Sequence, residues 1–329
     1  MEFNGRMQSN SIVTVSGQSG GNLGLVGAGP TVAEYAQASK SDATLRAYAS
    51  ALRGFAAWCA EHGECSLPAA PRTVAAYLTE RANAGKSMAT LAACMAAITS
   101  VHKRAELPSP SLSPLVQDAM AGIRRLRGAP QRQAAAVTVP QLREMVSLGD
   151  GLSSLRDRSL LLLGFAAALR RSEIVALDVS DVVECADGLV VTVRRSKTDQ
   201  QGKGRIIAVP FGSDRLTCPV RALRDWLVAS KISAGALFVS VRYGRLTGTR
   251  LGGRDVARIV KRACTLACLP TENMSGHSLR AGLATAAAKA GKSIASIQAT
   301  TGHKSVAMVS RYIRRGTMFD DCAAASVGL

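Results

Sequence analysis

The stretch GLVVTVRRSKTDQQGKGRIIAVP, residues 188–210, sets two β-branched runs on either side of a polar turn. Val, Ile and Thr fit a pleated, half-buried surface, so the pattern predicts a β-hairpin with Lys197 near its tip. The surrounding chain follows another period. Alanine-rich apolar stripes such as LLLLGFAAAL (160–169) and AGLATAAAKAG (281–291) predict close-packed helices. The expected fold class is therefore mainly α, with an α+β second half that holds a small antiparallel sheet.

Outward from the hairpin, helices are predicted near Pro140–Ser147 and Arg156–Ala168 on one side, and over CPVRALRDWLVASK (218–231) on the other. A short apolar run, ALFVS (236–240), follows, and the remainder reads as helix with Gly-rich breaks. In the first half, Leu45, Tyr48, Leu52, Phe55 and Cys59 recur at spacings of three or four behind the candidate caps Ser41 and Asp42, the mark of an amphipathic helix. Further helices are predicted at Pro71–Ala84, Ser87–Glu106 and Ser111–Arg127. Residues 1–30 are rich in Gly, Ser and Asn without periodicity and read as a flexible tail. RGAPQRQAAAVTVP (127–140) lacks a core face and reads as a linker. The division expected is a 1–30 tail, a 31–127 helical domain, a 128–139 linker and a 140–329 second domain, consistent with 329 residues.

A net charge of +18 points to a polyanionic partner, nucleic acid first. Residues 140–329 carry 28 basic and 15 acidic side chains, a balance of +13, whereas residues 31–139 carry 12 and 7, a balance of +5. The longest apolar run, Leu160 to Leu169, is too short for a bilayer, and the first thirty residues lack a signal-peptide pattern. A soluble, cytoplasmic protein without a membrane partner is expected. The eight cysteines form no CxxC pair; Cys59, Cys94 and Cys185 lie in apolar segments that suit small buried thiols. Cys264 and Cys268 would share a helix face at i, i+4, but two ligands fall short of a structural zinc site, so no metal and no cofactor are expected.

Several positions in the second half carry chemistry: Arg170 in ALRRSE, Lys197 in RRSKTDQ, His277 and Arg280 in SGHSLRAG, His303 in TGHKS, and Tyr312 in RYIRR. Each has an ordinary structural role available, as a helix-end charge, a turn lysine, a filler histidine or an aromatic covering helix surface. As an ordered set they fit attack on a phosphodiester. Charge develops on the non-bridging oxygens, and paired guanidiniums grip those oxygens bidentately. His277 and Arg280 lie three apart behind Ser275 as a cap, so both can converge with backbone N–H groups on one phosphate. A phenol titrates near 10 in water and needs cationic neighbours or a base to act as nucleophile, while a lysine on a hairpin tip can protonate a departing 5′-oxygen.

The boxes ALRRSE, SKT, HSLR and GHKS, with Tyr312 nine residues after His303, resemble the active-site boxes of the tyrosine recombinase (phage integrase) family, over residues 41–315. FAAWCAEHG, SGHSLRAG and RYIRR resemble Cre-type members in particular. The resemblance implies that Arg170 and Arg280 clamp the scissile phosphate, that His277 handles the nucleophile's proton and that Glu173 orients its neighbours. It further implies that Lys197 protonates the leaving 5′-hydroxyl and that Tyr312 forms a 3′-phosphotyrosine. His303 stands where Cre-type members carry Trp, so this position follows the wider family. Also implied are a SAM-like core-binding domain and a catalytic domain forming a C-shaped clamp around double-stranded DNA with an inverted-repeat site. A homotetramer on two DNA sites would pass through a Holliday junction without ATP or metal, and the C-terminal FDDCAAASVGL (319–329) would dock into a neighbouring protomer. Arg254 occupies a position that resembles a base-reading major-groove arginine of Cre-type members, with Arg250 and Arg258 equally near, and Ser87, Met88 and Thr90 start the first-domain helix expected to enter the groove. A type IB topoisomerase uses the same chemical set, and a non-catalytic DNA-binding protein is the reading from another class.

Overall fold

The computed structural model describes residues 31, 39–128, 134–147, 149, 151–196, 199 and 204–316. The expectations for the 1–30 tail, for Lys197 and for the C-terminal 319–329 segment fall outside the described residues. The chain divides into two compact units, Met1–Pro130 and Gln131–Leu329. No helix among the described residues is long and apolar enough to cross a membrane.

The first unit is all helical: α1 (Asp42–Glu61), α2 (Pro71–Asn83), α3 (Met88–Arg104) and α4 (Pro114–Arg127), with a 3₁₀ turn at Pro110–Leu112. Ser41 and Ser87 cap α1 and α3 by accepting from the N–H groups of Thr44 and Thr90, and Pro71 and Pro114 open α2 and α4, where a missing N–H costs nothing. Phe55, Trp58, Tyr77, Leu78, Leu91 and Ile98 form the core, and Trp58 Nε1 donates to Glu80 Oε2 at 2.7 Å, which satisfies the one polar atom the indole brings inside.

The second unit is α5 (Val139–Val146), α6 (Leu152–Ala166), α7 (Arg171–Ala176), β1 (Val182–Cys185), β2 (Gly188–Val193), β3 (Arg205–Pro210), α8 (Pro219–Ser230), β4 (Val239–Arg242), β5 (Arg245–Arg250), α9 (Gly253–Leu266), α10 (Gly276–Lys289), α11 (Ile294–Thr301) and α12 (Val306–Gly316). β1, β2 and β3 make an antiparallel sheet in that order, with Val191 opposite Ile207 and Leu189 opposite Val209 on its buried face. The predicted hairpin is thus present, widened by a third strand that the short VVEC segment does not announce. β4, which begins in the ALFVS run, pairs with β5 as a second small sheet, and β5 falls where helix is expected from the sequence. Its β5, RLTGTR, is mostly exposed, so it carries no apolar alternation to read. The core centres on α6 packed against α8, with Leu160, Leu161, Leu163, Phe238 and Trp226 fully buried or nearly so.

Two cysteine expectations fail. Cys185 is exposed at the end of the short edge strand β1, where the last three residues are all exposed. Cys264 and Cys268 share no helix face: α9 ends at Leu266, and Cys268 follows in a left-handed conformation at φ 53°.

Helix α10 positions the site. Its small residues let it approach the backbone of its neighbours, and a Cβ at Gly282 would strike the Val137 carbonyl oxygen and come within 2.7 Å of the Phe165 ring. The Val137 N–H donates to Ser278 O at 3.1 Å, so the strand-like segment before α5 runs along α10 and fixes it.

Candidate active site

Arg170 is the N-cap of α7. Its backbone N–H donates to Glu173 Oε2 at 2.9 Å and its guanidinium to Glu173 Oε1 at 2.6 Å, so a carboxylate one turn into the helix closes the cap and aims the arginine at once. Glu173 is buried and takes a second guanidinium, Arg205 Nη2, at 2.9 Å. Arg205 Nη1 meanwhile donates to the Thr301 carbonyl, the last residue of α11, at 3.0 Å.

Arg280 comes from the first turns of α10, capped as expected by Ser275, whose oxygen accepts from the His277 N–H at 3.2 Å. The side chain is buried. Nη1 donates to the Ala168 carbonyl at 2.8 Å, and Nη2 has no partner among the described residues. Burial first, and the positive charge of Arg170 next, push the Arg280 pKa down to about 10; Glu173 offsets this in part, and Tyr312 lies within electrostatic reach. Burial also lowers Arg205, opposed by Glu173 and reinforced by Arg170. Two guanidiniums therefore pair with one buried carboxylate while a third, that of Arg280, lies within electrostatic reach of it, an excess of positive charge that favours a bound anion.

His303 lies just after Gly302, whose left-handed φ of 64° ends α11. Burial, then the charges of Arg280, Arg170 and Arg205, push its ring down to about 4, so the imidazole is neutral at physiological pH; its Nδ1 has no partner among the described residues. Tyr312 on α12 stacks on this ring, with centroids 5.6 Å apart and planes 28° from parallel. The stack is held from behind by Ala284, Ala288, Ile297 and Val309. The phenol, the imidazole and the buried arginine therefore belong to one constellation, built from α7, β3, α10, α11 and α12.

Of the residues singled out from sequence, the structure brings together Arg170, Glu173, Arg280, His303 and Tyr312. His277 sits at the exposed start of α10. Among the candidate base readers, Arg254 and Arg258 are exposed on α9, with Arg258 Nη1 donating to Asp255 at 3.1 Å. Arg250 is exposed too, and its guanidinium donates to the Val175 and Leu177 carbonyls at 2.9 and 3.0 Å and pairs with Asp178, so it also braces the end of α7. In the first unit, Ser87 is exposed and Met88 and Thr90 are half-buried at the start of α3. Arg205 is the residue that sequence reasoning misses. Its signal is positional, because Ile207 and Val209 show that 205 lies on the buried face of β3, an unusual place for a guanidinium.

Residues 137–317 match the phage integrase family and residues 34–107 its N-terminal SAM-like domain. The chain is 38% identical over 291 residues to an integrase/recombinase XerD homolog of Selenomonas ruminantium, covering 87% of this chain and 85% of that one. It is 27% identical to the Cre recombinase of Escherichia phage P1, over 83% and 84% of the two chains. Among solved structures, a lambda integrase tetramer bound to a Holliday junction matches in fold with a TM-score of 0.56 at 20% identity, over 83% of this chain and 72% of that one. With the site's geometry, these matches place the chain in the phage integrase family of tyrosine recombinases.

Proposed function

We propose that the chain is a site-specific DNA recombinase that cleaves and rejoins duplex DNA through a 3′-phosphotyrosine at Tyr312. The observation that carries the reading is the buried Nη2 of Arg280, without a partner among the described residues and within electrostatic reach of the phenol. A desolvated donor left without a partner costs free energy unless a ligand completes it, and here the neighbouring charges select an anion.

In this mechanism the Tyr312 oxygen attacks the scissile phosphorus, loses its proton toward His277, and displaces a 5′-oxygen. Arg170 and Arg280 hold the non-bridging oxygens, whose charge grows in the transition state. Glu173 aims Arg170, and His303 adds a hydrogen bond to the same phosphate. Lys197, which follows β2 and precedes β3 in the sequence, donates the proton that the leaving 5′-oxygen needs. Because the phosphotyrosine keeps the energy of the broken bond, a 5′-hydroxyl from a second duplex can attack it without ATP. Two such exchanges in a homotetramer pass through a Holliday junction, on inverted-repeat sites gripped by both units, with the 319–329 segment docking into a neighbouring protomer. Arg254 and Arg258 on α9 and the Ser87–Thr90 end of α3 are the surfaces offered to the bases.

The test is recovery of covalent protein–DNA adducts from cells that express the chain, followed by sequencing of the attached DNA. Wild type yields one recurring sequence, and Tyr312→Phe yields none. Absence of any wild-type adduct sinks the reading. Relaxation of plasmids lacking the recovered sequence, without recombinants, would replace it with a topoisomerase.

A further inference from the structure

We propose that Arg205 is a positioning residue for cleavage: its guanidinium ties Glu173 to the Thr301–Gly302 turn and thereby fixes Arg170 on one side of the phosphate pocket and His303 on the other. The proposal rests on the recombinase reading above and adds to it a residue that the reading leaves without a task.

The fork of Arg205 joins three distant parts of the chain. Nη2 reaches Glu173 Oε2 on α7 at 2.9 Å, and Nη1 reaches the Thr301 carbonyl at the end of α11 at 3.0 Å. Glu173 spends its other oxygen on Arg170, so fixing this carboxylate fixes the phosphate-facing arginine as well. Thr301 stands two residues before His303, so holding its carbonyl sets the turn from which the imidazole projects. Only a planar, two-ended donor can satisfy both acceptors; an ammonium on a flexible stem can serve one at a time.

Gly302 carries independent evidence. At φ 64° it adopts a conformation that side chains rarely take, and a Cβ there would land on Arg205 Nη1 and lie 3.2 Å from Cζ. The turn before His303 is shaped around this guanidinium. The contrast with Arg280 separates the two roles: Arg280 leaves a terminal nitrogen open for an anion, whereas both terminal nitrogens of Arg205 are spent on protein acceptors. A largely buried arginine crowded by two others is also a weak source of stability, which leaves orientation as its contribution.

The test uses the full chain carrying Arg205→Lys or Arg205→Gln, with the duplex recovered as the Tyr312 adduct and nicked so that cleavage is trapped. Single-turnover cleavage is expected to fall about 10- to 100-fold in the Gln variant, with the Lys variant also slowed, while the dissociation constant for DNA stays within about threefold. Wild-type rates in both variants overturn the proposal. So does a rate loss matched by an equal loss of affinity, which would make Arg205 a phosphate ligand.

A second measurement needs no DNA. The chain has four histidines, so the His303 ring can be followed by NMR titration. The groups facing it are Tyr312 on α12, Arg280 on α10, Arg170 and Glu173 at α7, Arg205 on β3, and the Gln298 amide, which donates to the His303 carbonyl at 3.2 Å. In wild type, burial and then the charges of Arg280, Arg170 and Arg205 push the ring down to about 4. Arg205→Gln removes a positive neighbour and loosens the turn, so the titration moves upward. Arg205→Lys keeps the charge, so an upward move there reports lost positioning. A ring unchanged in the Lys variant overturns the proposal, and where the Gln variant does not fold, the Lys variant carries both measurements. If wild type forms no adduct, the recombinase reading falls by itself and the titration still decides whether Arg205 organises the pocket.

Discussion

Two clusters of buried arginines occupy the second unit, and they are built on opposite principles. In one, Arg156 donates to Asp157 Oδ1 through Nε at 2.9 Å and Nη2 at 2.6 Å and to the Val239 carbonyl through Nη1 at 3.2 Å, while Arg262 closes on the other carboxylate oxygen from a half-exposed position. No side-chain atom of Arg156 or Asp157 is left unpaired. In the other, Arg170, Arg205 and Arg280 crowd one Glu173, and Arg280 Nη2, Arg205 Nε and His303 Nδ1 have no partner among the described residues. The first cluster is scaffold, since it ties α6 to β4 and α9 and asks for nothing further. The second leaves buried donors open beside an excess of positive charge, which suits an anion. Burial of charge alone therefore does not mark a functional site; what marks it is burial with the hydrogen bonding left open.

Removing one member of each cluster should separate them most sharply. Arg156→Met leaves Asp157 buried with only the Arg262 contact, and losses of about 3–5 kcal/mol are typical when one partner of a buried pair is deleted. Urea unfolding is expected to show a loss of that size, with unaltered cleavage per folded molecule. Arg280→Gln should do the reverse. It removes a like charge crowded by Arg170 and Arg205, so stability changes by less than about 1 kcal/mol, while single-turnover cleavage falls by about 10²–10³-fold, the usual effect of deleting one transition-state donor. If Arg280→Gln unfolds the protein and Arg156→Met blocks cleavage, the assignment of the two clusters is inverted.

The same contrast shows how much the sequence could tell. Arg170, Glu173, Arg280, His303 and Tyr312 are legible because each sits in a short local box. Local chemistry then finishes the work: a cap carboxylate at Glu173, a serine cap at Ser275, and a glycine end to α11 at Gly302. The hairpin is legible for a similar reason, because two β-branched runs flank a polar turn within one short stretch. Arg205 is not legible at that level, since its partners lie 32 and 96 positions away and no spacing rule links them. Arg250 shows the same limit. It reads as a DNA contact near α9 and it is exposed, but it also donates to main-chain carbonyls at the end of α7, which the sequence cannot display. β5 escapes detection because an exposed two-stranded ribbon needs no apolar face.

A milder change probes the frame rather than the charges. Gly302→Ala should cost about 1–2 kcal/mol from the left-handed backbone alone and should also displace Arg205 Nη1. Cleavage is then expected to slow more than the stability loss explains, whereas Gly63→Ala, at φ 65° with open space around its Cβ, loses stability by a similar amount and leaves cleavage intact. Equal cleavage by the two variants would mean that the turn before His303 has no special tie to the pocket.

The smallest effect expected is a pH dependence belonging to the second cluster alone. The ordinary imidazole takes a proton near 6.5, while the His303 ring, depressed first by burial and then by its three arginine neighbours, takes it only at about 4. Between those values the unfolded chain binds more protons at this position than the folded one, so His303 contributes a stability that is whole above about 6.5 and drains away as pH falls toward about 4. Urea midpoints measured across that window should fall less steeply for His303→Gln than for wild type. An anion in the pocket works against the three arginines and raises the ring's affinity for a proton, so vanadate, a mimic of the pentacoordinate phosphate, should flatten the wild-type slope and leave that of His303→Gln unaltered. Equal slopes in the two proteins would mean that the excess positive charge does not reach this ring, and the pocket would then lack the imbalance that sets it apart from the paired cluster at Arg156.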